Sequence, residues 1–280
     1  MIHSDFPRRA TRWWKFWLPL WIVGLWLVFA LFGPWMPMTP DEVVLPRILE
    51  PPGILGGLHE WFGYDALGRP VLDRLVAGCQ TSALVAAWVI SVSLVLGVGI
   101  GAVSGYVGGT FDHVVVRIID VFLAFPGILL AIALAGILGP GVDNVVLALA
   151  AVGWVGFARL TRAQTLTLKS HTHVMAARAL GATPSSIIWR HVLPQINAPI
   201  IVEATFGVAS AVIAEAGLSF LGLGVQPPAA SWGSMLQEGT RYMLVAPHLV
   251  IVPGCAIFLV ALAVNLLGDT LRDRFDVRSG

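Results

Sequence analysis

Read from its N-terminus, the chain alternates long apolar stretches with polar segments of very unequal length. Six stretches stand out: Phe16–Gly33, Leu84–Tyr106, Ile118–Leu138, Val145–Leu160, Pro199–Leu221 and Pro247–Gly268. As helices rising about 1.5 Å per residue, they match a hydrocarbon layer about 30 Å thick, the fourth being the shortest. The pattern predicts an all-α polytopic membrane protein with six transmembrane helices. Ahead of the second stretch, "RPVLDRLVAG" sets Val71, Leu72, Leu75 and Val76 on one helical face. This spacing predicts a short amphipathic helix lying at the outer interface. The first stretch has a basic flank, as a signal peptide does. Its core is rich in Trp, it runs into "GPWMPMTP", and no small-x-small cleavage site follows, so it reads as a retained anchor.

Composition agrees with this picture. Only 12% of residues are charged and 57% are hydrophobic, against about 25% charged in a typical soluble domain. The net charge of +1 leaves no footprint for nucleic acid. Cys79 and Cys255 stand far apart in apolar contexts and read as small buried hydrophobes rather than a disulfide or a metal pair.

The placement of charge orients the spans. With the N-terminus in the cytoplasm, the inner segments hold Arg8, Arg9, Arg12, Lys15, Arg117, Arg159, Arg162, Lys169, Arg178, Arg190, Arg272, Arg274 and Arg278. Only Arg47, Arg69, Arg74 and Arg241 fall outside. The positive-inside bias therefore supports six spans with both termini cytoplasmic. The outer segment 34–80 carries Asp41, Glu42, Glu50, Glu60, Asp65 and Asp73, and 222–246 forms a second outer loop.

The chain lacks the H-E-x-x-H, G-x-S-x-G and C-x-x-C patterns and the phosphate-loop motif. His171, His173 and His191 lie close together, but structural metal sites need about four ligands, so a solvated basic loop is the better reading and no metal site is assigned. No catalytic constellation is present, so the chain is expected not to be an enzyme on its own. Ionisable groups within the bilayer are the next candidates. Glu203 and Glu215 both fall in the fifth span, roughly 18 Å apart along its axis and about 120° apart around it. Each should face the bundle interior, a partner subunit or a water-filled path, and two roles stand open: an interhelical hydrogen bond that fixes packing, or direct contact with substrate. Arg117 and Asp120, at i and i+3, have the spacing of a local ion pair. Pro126–Gly127 in "VFLAFPG" predicts a kink or a break in the helix, so Asp120 and Pro126 join the candidates for pathway or packing. Gly97, Gly101 and Gly105 repeat G-x-x-x-G in the second span, which permits close helix approach within the chain or to a partner.

One inner segment, "MAARALGATPSSIIWRHVLP" (residues 175–194), is short, basic and punctuated. Thr172 or His173 starts a helix through Ala176, Ala177, Ala179 and Leu180, and Gly181 is a natural residue to follow its end. Thr183 then caps a second helix with Pro184 at its first position, running through Ile187, Ile188 and Trp189 until Pro194 stops it. Ala176, Ala177 and Gly181 strip bulk from one place, as a docking surface does.

This segment resembles the EAA loop of ABC importer permeases: E-A-A, three residues, Gly, nine residues, I-x-L-P. Ala176, Ala177, Gly181, Leu193 and Pro194 match at the same spacing, with Met175 in the place of Glu and His191 in the place of Ile. "FGYDALGRPVLDRLVAG", "RIIDVFLAFPGILLAIAL", "VGWVGFARLTRAQTL" and "AEAGLSFLGLGVQPPAASWG" are similar to segments of the C-type subunit in the dipeptide/oligopeptide/nickel branch, with Tyr64 and Pro70 departing from the pattern. The resemblance runs from about residue 60 to residue 270. It implies the MetI-like permease fold, with residues 1–60 as anchor helix and start of a periplasmic loop. Residues 61–280 then form the permease core, with five transmembrane helices and a coupling loop over 172–194. It further implies a multi-pass protein of the bacterial cytoplasmic membrane that moves peptides by alternating access. The expected partners are a second, B-type permease, two cytoplasmic ATPase subunits, a periplasmic or lipid-anchored binding protein, and membrane lipid. ATP and Mg belong on the ATPase subunits, and this chain is expected to bind no cofactor. By this resemblance the ATPase-contacting residues are Ala176, Ala177, Arg178, Gly181, Ala182, Arg190, Leu193 and Pro194. The branch also handles nickel chelates, haem and peptide-like antibiotics. A secondary transporter and a scaffold that has lost transport are the other classes considered.

Overall fold

The structure is a computed structural model that describes residues 10–53 and 57–276, with side chains over 16–53 and 57–275. The first helix, α1 (Ala10–Phe32), packs along the last, α10 (His248–Asp276), and along α2 (Val71–Val107). The Arg274 guanidinium lies 4.2 Å from the centre of the Phe16 ring, so the start of α1 and the end of α10 share one end of the bundle. Arg8, Arg9 and Arg278 of the charge tally lie outside the described residues.

Five helices are long and apolar enough to cross a membrane, and a bent pair makes a sixth span if it is counted as one. That pair is α3 (Gly109–Leu123) and α4 (Gly127–Leu138), which meet at 88°. The expected third span, 118–138, is therefore broken at Pro126 rather than merely kinked, into two helices at nearly a right angle. Pro126 has no N–H to continue α3 and excludes helical geometry from Phe125, so the chain turns there. The fourth expected span lengthens into α5 (Val142–Leu168), because the polar tail after Leu160 stays helical.

The amphipathic helix expected at the outer interface is not separate. Val71–Val76 forms the first turns of α2, a continuous helix of 37 residues and about 55 Å. Asp73 and Arg74 are buried at its start, and Cys79 is buried further along it, whereas Cys255 of α10 is exposed, contrary to the burial expected of both cysteines. The remaining helices are α6 (Thr172–Ala179), α7 (Pro184–Ile187), α8 (Asn197–Phe220) and α9 (Trp232–Thr240).

The most extensive helix pairing is between α2 and α5. The glycine repeat of α2 is spent here, inside the chain. A side chain at Gly101 would collide with the Ala158 backbone, and one at Gly105 would lie 2.8 Å from the Arg162 carbonyl. Backbones approach closely only where both helices present small residues. At one end of this seam Arg162 pairs with Asp112 of α3, Ser104 also donates to Asp112, and Lys169 donates to the Gly105 carbonyl. The ion pair expected between Arg117 and Asp120 is absent: both side chains are exposed, and the paired acid of α3 is Asp112.

Candidate functional site

The segment between α5 and α8 folds as a ridge. α6 closes in a Schellman motif, with the Ala182 N–H donating to the Ala177 carbonyl (3.1 Å) and the Gly181 N–H to that of Arg178 (3.0 Å). This places Gly181 at φ +86°, where a Cβ is disfavoured. Thr183 Oγ1 accepts the Ser186 N–H at 3.4 Å and starts α7 with Pro184 at its first position. Regular α geometry ends at Ile187, short of the stop expected at Pro194. Ile188–Val192 widens to a π turn, and Leu193–Gln195 tightens to a 3-10 turn. Pro194 sits at the start of that last turn, where its missing N–H has no partner to lose.

The ridge has two faces. On one, Val174, Ile187, Val192 and Ile196 pack with Leu168 of α5 and Ile200 of α8, against Leu94, Val98 and Tyr106 of α2. The other leaves Leu180 89% and Trp189 72% exposed beside Met175. Of the residues assigned to ATPase contact, Ala176, Arg178, Gly181, Arg190 and Pro194 are on the open side, while Ala177, Ala182 and Leu193 are half-buried. The ridge is thus anchored at both feet to helices that continue into the bundle.

Those same helices wall a cavity of about 620 Å³ between α2, α4, α5 and α8. Its lining is apolar for the most part, with Val89, Ile90, Leu149, Phe157 and Phe206; Ser93, Ser210 and Glu203 are the polar side chains. That volume falls in the range of small-ligand sites, about 300–1,000 Å³.

The two glutamates of the fifth span have different surroundings. Glu215 is 1% exposed and accepts hydrogen bonds from Ser82 Oγ (3.1 Å) on α2 and Ser219 Oγ (2.7 Å) on its own helix. Glu203 is half-buried in the cavity wall, with no hydrogen bond or ion pair among the described residues. Asp120 and Pro126 are exposed and outside the lining, to which Gly127 and Ile128, just after Pro126, contribute. Ser82 and Ser93 are not distinguishable in the sequence from other helical serines. An isolated helical hydroxyl can satisfy itself on the carbonyl four residues back, so neither carried a signal.

At the end opposite the ridge, the segment before α2 is held by buried charge. Asp65 accepts from the Leu67 N–H (2.8 Å), the Arg69 N–H (2.9 Å) and Arg69 Nε (2.6 Å). Arg69 Nη2 reaches Glu238 of α9 at 2.9 Å, and Arg74, 2% exposed as a side chain, stands 3.6 Å from Asp65 and 3.5 Å from Glu238. Tyr64 and Pro70 face each other across the same turn in a lone antiparallel bridge. Nearby, Arg47 bonds Glu60 and the Tyr64 hydroxyl, Glu60 first among the contacts that raise its guanidinium above the ordinary value.

An α-helical bundle with this intramembrane cavity and a ridge rooted in its walls defines a multi-pass membrane permease. The chain belongs to the family described as binding-protein-dependent transport system inner membrane component, which it matches over residues 97–279. It is 41% identical over 256 residues to the glutathione transport system permease protein GsiD of Escherichia coli O6:K15:H31 (strain 536 / UPEC), covering 91% of this chain and 83% of the relative. The protein of the same name from Shigella boydii serotype 4 (strain Sb227) matches to the same extent, 41% over 256 residues. In fold, the chain is similar to a chain of the MetNI methionine ABC transporter in inward-facing conformations, with a TM-score of 0.56 at 18% identity, covering 72% of this chain and 98% of that one. A second crystal form of that transporter gives a TM-score of 0.55 at 20% identity, again over 72% and 98%. The protein is thus a membrane subunit of an ABC importer, placed in the inner membrane.

Proposed function

We propose that this chain is one of two permeases in an ATP-driven importer of peptide-type cargo, glutathione-sized or similar, and that residues 172–194 take up the movement of a cytoplasmic ATPase. The observation that carries the reading is the shape of the ridge: apolar on the face turned to α2, α5 and α8, and open on the face bearing Met175, Leu180 and Trp189. A displaced ridge drags Leu168 and Ile200 with it, and these residues continue into the two helices that carry Phe157 and Glu203 to the cavity. Packed cores transmit such shifts with little loss because they compress poorly. The orientation follows, with the ridge and both chain ends in the cytoplasm, in keeping with the bias of Lys and Arg. The partner set is a second permease, two ATPase subunits that bind ATP and Mg, and a binding protein at the outer face. The cargo assignment draws on the relatives named for glutathione transport and on a cavity of about 620 Å³.

Co-purification tests the assembly and reconstitution tests the activity. The chain should elute with two ATPases and one further permease, and proteoliposomes of that complex should accumulate glutathione or a tripeptide only with ATP inside the ATPase compartment and binding protein on the other side. Transport by the chain alone would sink the proposal.

A further inference from the structure

Among the described residues, the other buried or half-buried carboxylates have partners. Asp65 is held by Arg69 and Arg74, Asp73 by His59, Asp112 by Arg162, Glu238 by Arg69, and Glu215 by two serine hydroxyls. Glu203 is the contrast. It lines an apolar cavity, and among the described residues no cation or hydroxyl answers it. An unpaired carboxylate in such surroundings is costly to keep and marks a place where a ligand brings the missing charge.

A second polar group points to the same place. Ser93 is fully buried, its Oγ has no hydrogen-bond partner among the described residues, and it too lines the cavity. Both groups stand over one face of α5. A Cβ added at Gly153 would lie 2.6 Å from Ser93 Oγ, and one at Gly156 would lie 2.7 Å from Glu203 Oε1. Positions three apart on a helix are neighbours about 5–6 Å from each other. The two glycines thus clear adjoining berths for a carboxylate and a hydroxyl, one helical turn apart.

We propose that Glu203 and Ser93 form a subsite that receives the free amino terminus of peptide cargo. The α-ammonium meets the Glu203 carboxylate, and the neighbouring carbonyl accepts the Ser93 hydroxyl. A divalent cation is a poorer fit, since one carboxylate and one hydroxyl fall well short of the six or more oxygens that calcium takes. The inference rests on the importer reading above, and it makes this chain a selector of cargo rather than a passive wall.

The test uses the full complex with its binding protein, and initial uptake of two probes, trialanine and N-acetyl-trialanine, each expressed relative to the wild-type complex. Glu203→Gln should lower trialanine uptake at least tenfold and change that of the acetylated probe less than twofold. Ser93→Ala should lower trialanine uptake a few-fold. Co-purification of each variant with its partners at wild-type yield separates these losses from misfolding. Equal loss for both probes, or loss for neither, overturns the subsite. If the binding protein captures only the free-amine probe, Glu203→Asp decides: at least half the wild-type rate supports recognition of charge, and a loss equal to that of Gln overturns it. A wild-type complex that imports neither probe with ATP overturns the importer reading itself.

Discussion

Arg162 grips Asp112 with two parallel hydrogen bonds, Nε to Oδ1 at 2.5 Å and Nη2 to Oδ2 at 2.7 Å, across fifty residues of sequence. The pair ties α3, the first arm of the broken span, to the α2–α5 seam, since Ser104 of α2 donates to the same carboxylate at 2.6 Å. Fork-to-fork pairing of this kind is directional as well as charged.

Arg162→Ala should therefore destabilise the protein by about 1–2 kcal/mol, a figure held down because both side chains keep some exposure. Arg162→Lys should fall between wild type and Ala, because a lysine retains the charge and loses the fork. Thermal unfolding of the purified complex checks the order. A lysine variant as stable as wild type would mean that charge alone holds α3.

The glycine seam gives a paired comparison within one helix. Gly101 faces the Ala158 backbone, whereas no atom lies within 4 Å of the place a Cβ would take at Gly99. Gly101→Leu should force α2 from α5 and cost about 3 kcal/mol or more, beyond the usual range for overpacking because the obstacle is backbone. Gly99→Ala should be neutral or slightly stabilising. Yield of folded protein and protease resistance in detergent read the difference, and equal tolerance at both sites would refute the seam.

What was legible beforehand follows the range of the interactions. The caps and the turn of the ridge are legible, because Gly181, Thr183 and Pro184 act on backbone atoms within four positions of themselves, whereas the π turn over Ile188–Val192 has no local signal. Pro126 was readable as a break for the same reason, though not its 88°, which depends on what α4 packs against. The start of α2 was misplaced because Asp73 and Arg74 look like surface charges unless Asp65, His59 and Glu238 are known to surround them. Glu203 and Glu215 were correctly held to different faces by helical geometry. Which one met serines and which one met a cavity was decided by Ser82 and Gly156 on other helices, and no local pattern encodes that.

Glu215 should behave as a packing residue. Glu215→Ala leaves the Ser82 and Ser219 hydroxyls buried without their acceptor and opens a void, for a combined cost of about 2–4 kcal/mol. Glu215→Gln keeps an acceptor oxygen and nearly the same shape, and should lose much less. Chemical denaturation of the complex compares the two. Cargo selectivity should not move in the Gln variant, in contrast with the result expected at Glu203.

Arg74 is the centre of the buried network at the opposite end. Its removal leaves Asp65 and Glu238 to share Arg69 alone, so Arg74→Met should cost about 3 kcal/mol despite conserving volume. The loss should be local at first. Limited proteolysis should cut within residues 39–70 sooner than in wild type, while the α2–α5 seam stays protected; simultaneous loss of both would show that the segment before α2 is not a separate unit of stability.

Substitutions at Gly181 test the proposed coupling role apart from stability. Its φ of +86° suits glycine, and a β-branched side chain there is strained by about 1–2 kcal/mol. Yet nothing lies within 4 Å of the position a Cβ would occupy, so the strain falls on the ridge and not on the core. Gly181→Val should consequently insert and assemble normally, with a Tm within a few degrees of wild type. It should distort the turn that presents Leu180, and so lower cargo transported per ATP hydrolysed several-fold. Gly181→Asn, which tolerates left-handed backbone, should retain most of that ratio. Uptake and ATP hydrolysis measured in the same proteoliposomes give the quotient directly. A valine variant that transports at the full wild-type ratio would show that this ridge does not carry the coupling movement.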